Sequence, residues 1–511
     1  MSPASIMTAE RAAMDLKGLL AGYADVASEY NRQVTGLTLD SRKLTPGDVF
    51  FALGGTREHG SQYVDAACRA GAAAVLVDDE RKRVIVRDGT PVLNVANLKR
   101  SAGRIASRFF GEPSQALKVI GVTGTNGKST VTHLIAQALE KSERFKPCGI
   151  IGTLGNGFLG SLSASSVTTP DAIGLQQLLA SLRDQKAQAV SMEVSSHALD
   201  QWRVEGVHFA AAVFTNLTRD HLDYHGSMDR YLAAKRRLFE MSDLGAAVVN
   251  LDDDYGRQLL AALPRERRVI GYTMLEYKSS TANEMVLRGH DLKISPRGLN
   301  LRITLGNESV DVTTRLLGRF NAQNLLAAIG ALVAVGFSLR EAGLAMHDAN
   351  GVLGRMDAVA EDGQPLVIID YAHTPDGLRQ LLTSSRELCG NKLWCVFGCG
   401  GNRDVGKRPL MGAIAAELAD EIVVTSDNPR DEDPARIIAA IVEGMPTPVQ
   451  SQVIVESDRR IAIQMAIGRA ASDDVVVVAG KGHEDYQEVR GVRQPLSDHV
   501  LVTEALRERR Q

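Results

Sequence analysis

Short apolar runs and helical stripes alternate along most of this chain. Near the N-terminus, Val49-Phe50-Phe51-Ala52-Leu53 and Ala73-Ala74-Val75-Leu76-Val77 are bounded by glycine and charge, as buried strands are. Tyr63 to Ala70 reads as a helix between them, which makes a small α/β unit. A second stretch opens near Ser101. Its strand, 117–123, runs into Gly124-Thr125-Asn126-Gly127 and a helix with apolar positions Val131, Leu134, Ile135 and Leu139. Thr169-Pro170-Asp171 predicts a helix start with Thr169 as N-cap and Pro170 in the first turn. Leu175, Leu178, Leu179 and Leu182 continue that helix at helical spacing. Strands are expected again at 189–194, 209–214 and 246–250. Strand–helix alternation of this kind favours a parallel sheet.

Between 285 and 317 the period changes to two. Leu299, Leu301, Ile303 and Leu305 alternate with polar residues, Gly306-Asn307 marks a turn, and Val310, Val312 and Leu316 follow. This predicts a small antiparallel subsheet, then a helix over 321–335. Beyond Leu353, strands at 366–370, 393–397, 421–425 and 474–479 alternate with helices that include 409–419 and 434–443. The expectation is an α/β protein of three domains. They are a small N-terminal α/β domain (1–98), a central parallel-sheet domain with an antiparallel subsheet (99–352), and a Rossmann-like doubly wound C-terminal domain (353–511). Sheets of the last kind bind ligands at their strand ends.

The length of 511 residues fits that count. An apolar fraction of 44% and a charged fraction of 23% exclude a wholly disordered chain. A net charge of −3 offers no basic excess for wrapping nucleic acid. The sequence lacks an apolar run of membrane-spanning length and a signal-peptide core, and its five cysteines are scattered. These point to a reduced, cytoplasmic setting. Cys395 and Cys399 read as packing at a strand end.

The candidate chemistry starts at Thr123-Gly-Thr-Asn-Gly-Lys-Ser-Thr130. Glycines between a strand and a helix let backbone N–H groups approach phosphate oxygens, and the helix N-terminus adds positive field. Lys128 would reach the outer phosphates and Ser129 would offer a hydroxyl to Mg²⁺. The strict phosphate-loop pattern has a glycine where this chain has Val122. Glu193 at a strand end is either a metal-binding carboxylate or an acid in water. His221, in the dense polar run Thr215–His225, is either functional or a surface or capping residue. Lys235 on its own reads as a solvated lysine, and Asp252-Asp253-Asp254 as a solvated loop after a strand.

Taken in order, several segments resemble one family. They are Thr123–Ser129, Glu193-Val-Ser-Ser-His197, Asn216–Asp223, Asp370-Tyr-Ala-His-Thr-Pro375 and Gly480-Lys-Gly-His-Glu484. Together they are similar to the Mur ligases, ATP-dependent amide ligases of peptidoglycan synthesis. Asp40-Ser41-Arg42 with Pro46-Gly47-Asp48 resembles the start of the family's uridine-nucleotide domain. Asp427-Asn428-Pro429-Arg430 resembles the motif of members that add meso-2,6-diaminopimelate.

The resemblance implies a set of roles. Lys128, Glu193, His221 and Lys235 would be catalytic. Gly124, Thr125, Asn126, Gly127, Lys128, Ser129, Thr130, Asn324, Arg355 and Asp370 would contact ATP, with His373 nearby. Ser129, Glu193, His221 and a carbamylated Lys235 would hold Mg²⁺. Leu39, Ser41, Thr168, Thr169, Ser195, Gln201 and Arg203 would contact the UDP-N-acetylmuramoyl-L-alanyl-D-glutamate substrate. Arg403, Asp427, Asn428, Pro429, Arg430, Gly480 and Glu484 would contact diaminopimelate. Val167 and Thr56-Arg57-Glu58 depart from the family pattern on the uridine-nucleotide side, and Ser129 replaces a common threonine. A cytoplasmic monomer that closes its domains around three substrates is expected. The rivals are a lysine- or D-Ala-D-Ala-adding Mur ligase, a folylpolyglutamate synthase, and a P-loop ATPase without ligase activity.

Overall fold

A computed structural model describes residues 14–54, 60–79, 84–165, 167–277, 285–295, 297–361 and 363–509. Thr56, Arg57 and Glu58 lie outside the described residues. The chain forms two compact units. One holds residues 1–121, 142–212 and 237–245, and the other 122–141, 213–236 and 246–511.

The first unit carries a five-stranded sheet in the order Gly36–Thr38, Asp48–Ala52, Ala74–Asp78, Thr90–Val95, Val84–Arg87. The first four strands run parallel and the last pairs antiparallel. Val49, Phe51, Ala74 and Leu76 face one core, while Phe50, Ala52 and Val75 face another. That split is the period-two geometry of a strand buried on both sides. Helices Leu98–Phe109 and Ala172–Asp184 pack within the first of these cores. The same unit holds the run Ser161–Ser163, Gly155–Phe158, Cys148–Gly152, Ala189–Glu193. Cys148–Gly152 pairs parallel with Ala189–Glu193 and antiparallel with Gly155–Phe158.

One sequence expectation is corrected here. The N-cap of helix Ala172–Asp184 is Asp171, whose carboxylate accepts from the Ile173 and Gly174 N–H groups. Thr169 turns its hydroxyl to the Glu193 carbonyl instead, at 2.9 Å. Two candidates could cap this start, and the chain gives the cap to the carboxylate, which also favours the positive helix end.

In the second unit, Ala247–Asn250, Val269–Thr273 and Met285–Ser295 run parallel. Gly298–Leu305 and Glu308–Thr314 then add the expected antiparallel pairs, with Leu301 opposite Val312 and Ile303 opposite Val310. Helix Phe320–Ala334 is buried almost all round and packs against helix Lys128–Glu140. Beyond Asn324 its run of Leu, Ala and Ile leaves no polar face, as an enclosed helix requires.

The remaining sheet has six strands in the order Asp357–Val359, Leu366–Asp370, Val475–Ala479, Leu393–Phe397, Glu421–Val424, Ile454–Val455. All neighbours are parallel except the first pair. Val475, Val477 and Ala479 pack on one side with Leu378, Met411 and Ile437. Val476 and Val478 pack on the other with Ile463, Ile467 and Leu501. The sheet is therefore doubly wound, and its strands deliver Asp370, the 398–403 loop, Asp427–Arg430 and Gly480–Glu484 to their C-terminal ends. Among the described residues no helix is long and apolar enough to cross a membrane.

Candidate active site

Three polar clusters gather the residues singled out above, one in the first unit and two in the second. In the first unit, Glu193 is 1% exposed. Its two oxygens accept from the Thr153 N–H at 2.8 Å and the Thr153 hydroxyl at 3.2 Å. Thr153 Oγ1 also bonds Thr168 Oγ1 at 3.0 Å. Thr169 Oγ1 accepts from the Ser195 N–H, and Ser195 caps helix Ser196–Asp200. Arg203 donates to the Thr169 carbonyl and, through two nitrogens, to Gln201 Oε1. Thr168, Thr169, Glu193, Ser195, Gln201 and Arg203 thus form one hydrogen-bonded group. Leu39 packs on the five-stranded sheet's core. Ser41 opens the turn Ser41–Lys43, capped by Asp40. The Arg42 side-chain hydrogen bonds hold the Asp40 carboxyl down at about 2.

The second cluster is the phosphate loop. Gly124 (φ 151°) and Gly127 (φ 86°) adopt backbone angles that favour glycine. A side chain at Gly127 would collide with Asn324 Oδ1, which presses against the loop. Loop N–H groups are tied down by the neighbouring strand end. Thr125 N–H donates to the Asn216 carbonyl, and Asn126 N–H to Asn216 Oδ1, both at 2.9 Å. Lys128 Nζ rests on the Gly124 and Thr125 carbonyls at 3.0 and 2.9 Å. Ser129 and Thr130 are buried at the helix start, and Arg355 donates to Ser129 Oγ at 3.2 Å.

Lys235 is far from the solvated lysine its helix suggested. It is 2% exposed, with Nζ 2.8 Å from the Gly124 carbonyl and 4.5 Å from the centre of the Tyr231 ring. Burial, with Lys128 adding repulsion, pushes its pKa far below the ordinary lysine value, and Asp220 opposes only in part. Burial thus shifts the balance toward the neutral amine. Nearby, burial works against the Asp220 charge, but His373, His221 and Lys407 outweigh it and lower its pKa. His221 sits at φ 53°, its Nε2 3.4 Å from Asp220. A non-glycine residue there is strained, and strain of this kind gathers at functional sites. Asp370 is buried and accepts from the Met356 and Ala372 N–H groups.

The third cluster lies at the doubly wound sheet. Asn428 Nδ2 donates to Glu484 Oε2 at 2.8 Å. Asp427 Oδ2 lies where a side chain on Gly480 (φ 116°) would need to be, at 2.5 Å. Arg430, also at φ 53°, donates from Nη1 to the Gly401 carbonyl at 2.8 Å. Pro429 precedes it beside Gly401, and Arg403 is exposed next to Gly400. Seven residues separated by up to 81 positions are thereby brought to one sheet edge.

Sequence reasoning missed several partners. Lys481 bonds Asn428 and Glu484. Hairpin Tyr486–Val489 and Val492–Pro495 grips the Asp427–Arg430 segment. Asp376 accepts from Asn126 at 3.1 Å. Lys481 lies inside the Gly480-Lys-Gly-His-Glu484 motif, which is the signal that could have found it, whereas the other two have no local signal. The Asp252–Asp254 loop is more than a solvated loop. Asp252 accepts from Thr273, Met274 N–H and Gln323. Asp253 caps helix Asp254–Ala262 and also takes the Leu217 N–H. Asp254 pairs with Arg257. Cys395 and Cys399 are buried strand-end packing, and burial pushes the Cys399 thiol up to about 12.

Among the described residues no three His, Cys, Asp or Glu side chains gather into a metal cage. Mg²⁺ commonly takes one or two protein carboxylates together with substrate phosphates. A buried carboxylate at Glu193 and a hydroxyl at Ser129 are donors of that hard type.

Comparisons with known proteins agree with this layout. The family model described as the Mur ligase middle domain matches residues 122–332. The Mur ligase, glutamate ligase domain matches 354–482, and the Mur ligase family, catalytic domain matches 33–110. The chain is 47% identical over 481 residues to the UDP-N-acetylmuramoyl-L-alanyl-D-glutamate–2,6-diaminopimelate ligase of Ectopseudomonas mendocina, covering 94% of this chain and 96% of that protein. It is 48% identical over 471 residues to the ligase of the same name from Chromobacterium violaceum, covering 91% and 93%. A solved structure of a ligase of that name matches with a TM-score of 0.70 at 35% identity, over 98% of this chain and all of that one.

Proposed function

The chain belongs to the Mur ligase family, and we propose that it joins meso-2,6-diaminopimelate to UDP-N-acetylmuramoyl-L-alanyl-D-glutamate, converting ATP to ADP and phosphate. The observation that carries this reading is the identity of nearly half the residues, over nearly the whole chain, with ligases of that name. Arg430 and its neighbours at the doubly wound sheet supply the chemical reason for the acceptor.

A carboxylate and an amine do not condense in water without activation. The side-chain carboxylate of the D-glutamyl residue attacks the γ-phosphorus of ATP, ADP leaves, and an acyl phosphate forms. The diaminopimelate amine then attacks that carbonyl, loses a proton, and expels phosphate. Charge grows on the phosphoryl oxygens in the first step. The first-turn N–H groups of helix Lys128–Glu140 would donate to it, and the Lys128 ammonium would leave the Gly124 and Thr125 carbonyls to do so. A Mg²⁺ ion held by Ser129, His221 and carbamylated Lys235 would add electrostatic stabilisation of phosphoryl charge. Burial moves Lys235 toward the neutral amine, the form that attacks CO₂; a C–N bond forms, a proton leaves, and the neutral amine becomes an anion. Diaminopimelate differs from lysine by a carboxylate at its far end. The Arg430 guanidinium gives Nη1 to the Gly401 carbonyl and pairs its Nε with Glu488 at 3.6 Å, and its positive charge and remaining Nη2 donors suit a carboxylate.

The test supplies ATP, Mg²⁺ and the UDP-muramoyl dipeptide with diaminopimelate, lysine or D-Ala-D-Ala in parallel. Phosphate release and product mass are measured. A lengthened muramyl peptide with diaminopimelate alone is expected. ADP formation without that product overturns the reading.

A further inference from the structure

The third cluster contains a cation to which nothing above gives a task. Lys481 is 0% exposed, and its Nζ lies 3.2 Å from Asn428 Oδ1 and 3.2 Å from Glu484 Oε2. The Tyr486 ring lies beside it, 5.5 Å to its centre. An ammonium withdrawn from water needs such partners to persist. Asn428 Oδ1 also accepts from the Glu488 N–H at 2.9 Å, which fills both lone pairs of that oxygen. Turning the amide over would set its NH₂ against two donors, so the amide has one orientation, with Nδ2 on Glu484. Glu484 takes Lys481 and Asn428 on the same oxygen, which leaves the lone pairs of Oε1 to meet an ammonium.

We propose that Lys481 is a positioning residue for the amino-acid acceptor, its buried ammonium locking the Asn428 amide and the Glu484 carboxylate in one mutual orientation. This rests on the reading that the cluster receives diaminopimelate. Lys481 acts through its two partners, and its loss is felt where they bind.

The test is steady-state kinetics on the wild type and Lys481→Met, varying each of the three substrates in turn. The variant removes the donors and keeps the volume. KM for diaminopimelate rises roughly 10- to 100-fold, the cost of disrupting charged, buried hydrogen bonds. KM for ATP and for the UDP-muramoyl dipeptide stays within about twofold, as expected for independent binding terms. In the Lys481→Met background, Asn428→Ala costs less than it does in the wild type, because the two changes are coupled. An unchanged acceptor KM, a parallel rise in all three KM values, or strict additivity overturns the proposal. If Lys481→Met loses its thermal unfolding transition, Lys481→Gln, which retains a donor, is judged by the same criteria. A wild type that fails to ligate diaminopimelate counts against the functional reading. A wild type that ligates it, beside a Lys481→Met variant with unchanged acceptor KM, counts against this inference alone.

Discussion

At the scale of single residues, the site depends on charged groups whose surroundings set their form. Arg430 is held by its backbone as well as its side chain. Its N–H donates to the Glu488 carbonyl, and its own carbonyl accepts from Arg490. Replacing it with alanine leaves the segment tethered and removes the guanidinium, so kcat/KM for diaminopimelate should fall by about 2–5 kcal/mol equivalent. The ratio of diaminopimelate to lysine turnover is the measurement, and a preserved ratio would remove Arg430 from acceptor choice. Burial, aided by Lys407, brings His373 down to about 4 from the ordinary 6.5. Burial and Arg355 do the same to His483. The unfolded chain therefore binds more protons between those values, and stability should drop as pH falls from 6.5 toward 4. Above 6.5 the two histidines make no difference, and below 4 their penalty is complete. Unfolding midpoints measured across that range should flatten in a His373→Gln, His483→Gln double variant.

At the scale of elements, the Asp171 cap gives a clean measurement. Asp171→Ala removes acceptors from two N–H groups at the start of helix Ala172–Asp184 and should cost about 1 kcal/mol of unfolding free energy. Thr169→Ala should do something different, loosening the Glu193–Ser195 link. The misassigned cap shows where the sequence becomes ambiguous: Thr169 and Asp171 are both capping types, and the stronger carboxylate cap, with the path of the chain, decides. Long apolar strands such as Val475–Ala479 were legible because both faces are buried and the run is continuous. The hairpin Gly155–Phe158 and Ser161–Ser163 was not, because its glycines carry no hydrophobic pattern. The polar hairpin that begins at Tyr486 escaped for the same reason, although it frames Asn428 and Arg430. On its own pattern Lys235 reads as solvated, because a helix with Arg236 and Arg237 beside it looks solvated until the fold closes over one side; only the family resemblance singles it out.

At the scale of the whole second unit, the phosphate loop is tied to the doubly wound sheet. Asn126 donates to Asp376, Arg355 to Ser129, and Lys407 to the His373 carbonyl next to the Asp220 cluster. These links join residues up to 250 positions apart, which is why no local pattern announces them. Asp376→Ala frees the Asn126 amide and should raise KM for ATP by roughly 3- to 10-fold, with acceptor KM little changed; equal effects on both would place the loss elsewhere. The sealed amine at Lys235 has a consequence beyond the molecule. If its working form is the carbamate, the catalyst takes an ingredient from the air. Protein sparged with nitrogen in mildly acidic buffer should start slowly and recover on adding bicarbonate, and Lys235→Ala should respond to short-chain fatty acids but not to bicarbonate. Laboratories comparing turnover numbers would then need to state the dissolved inorganic carbon of their buffers along with the temperature.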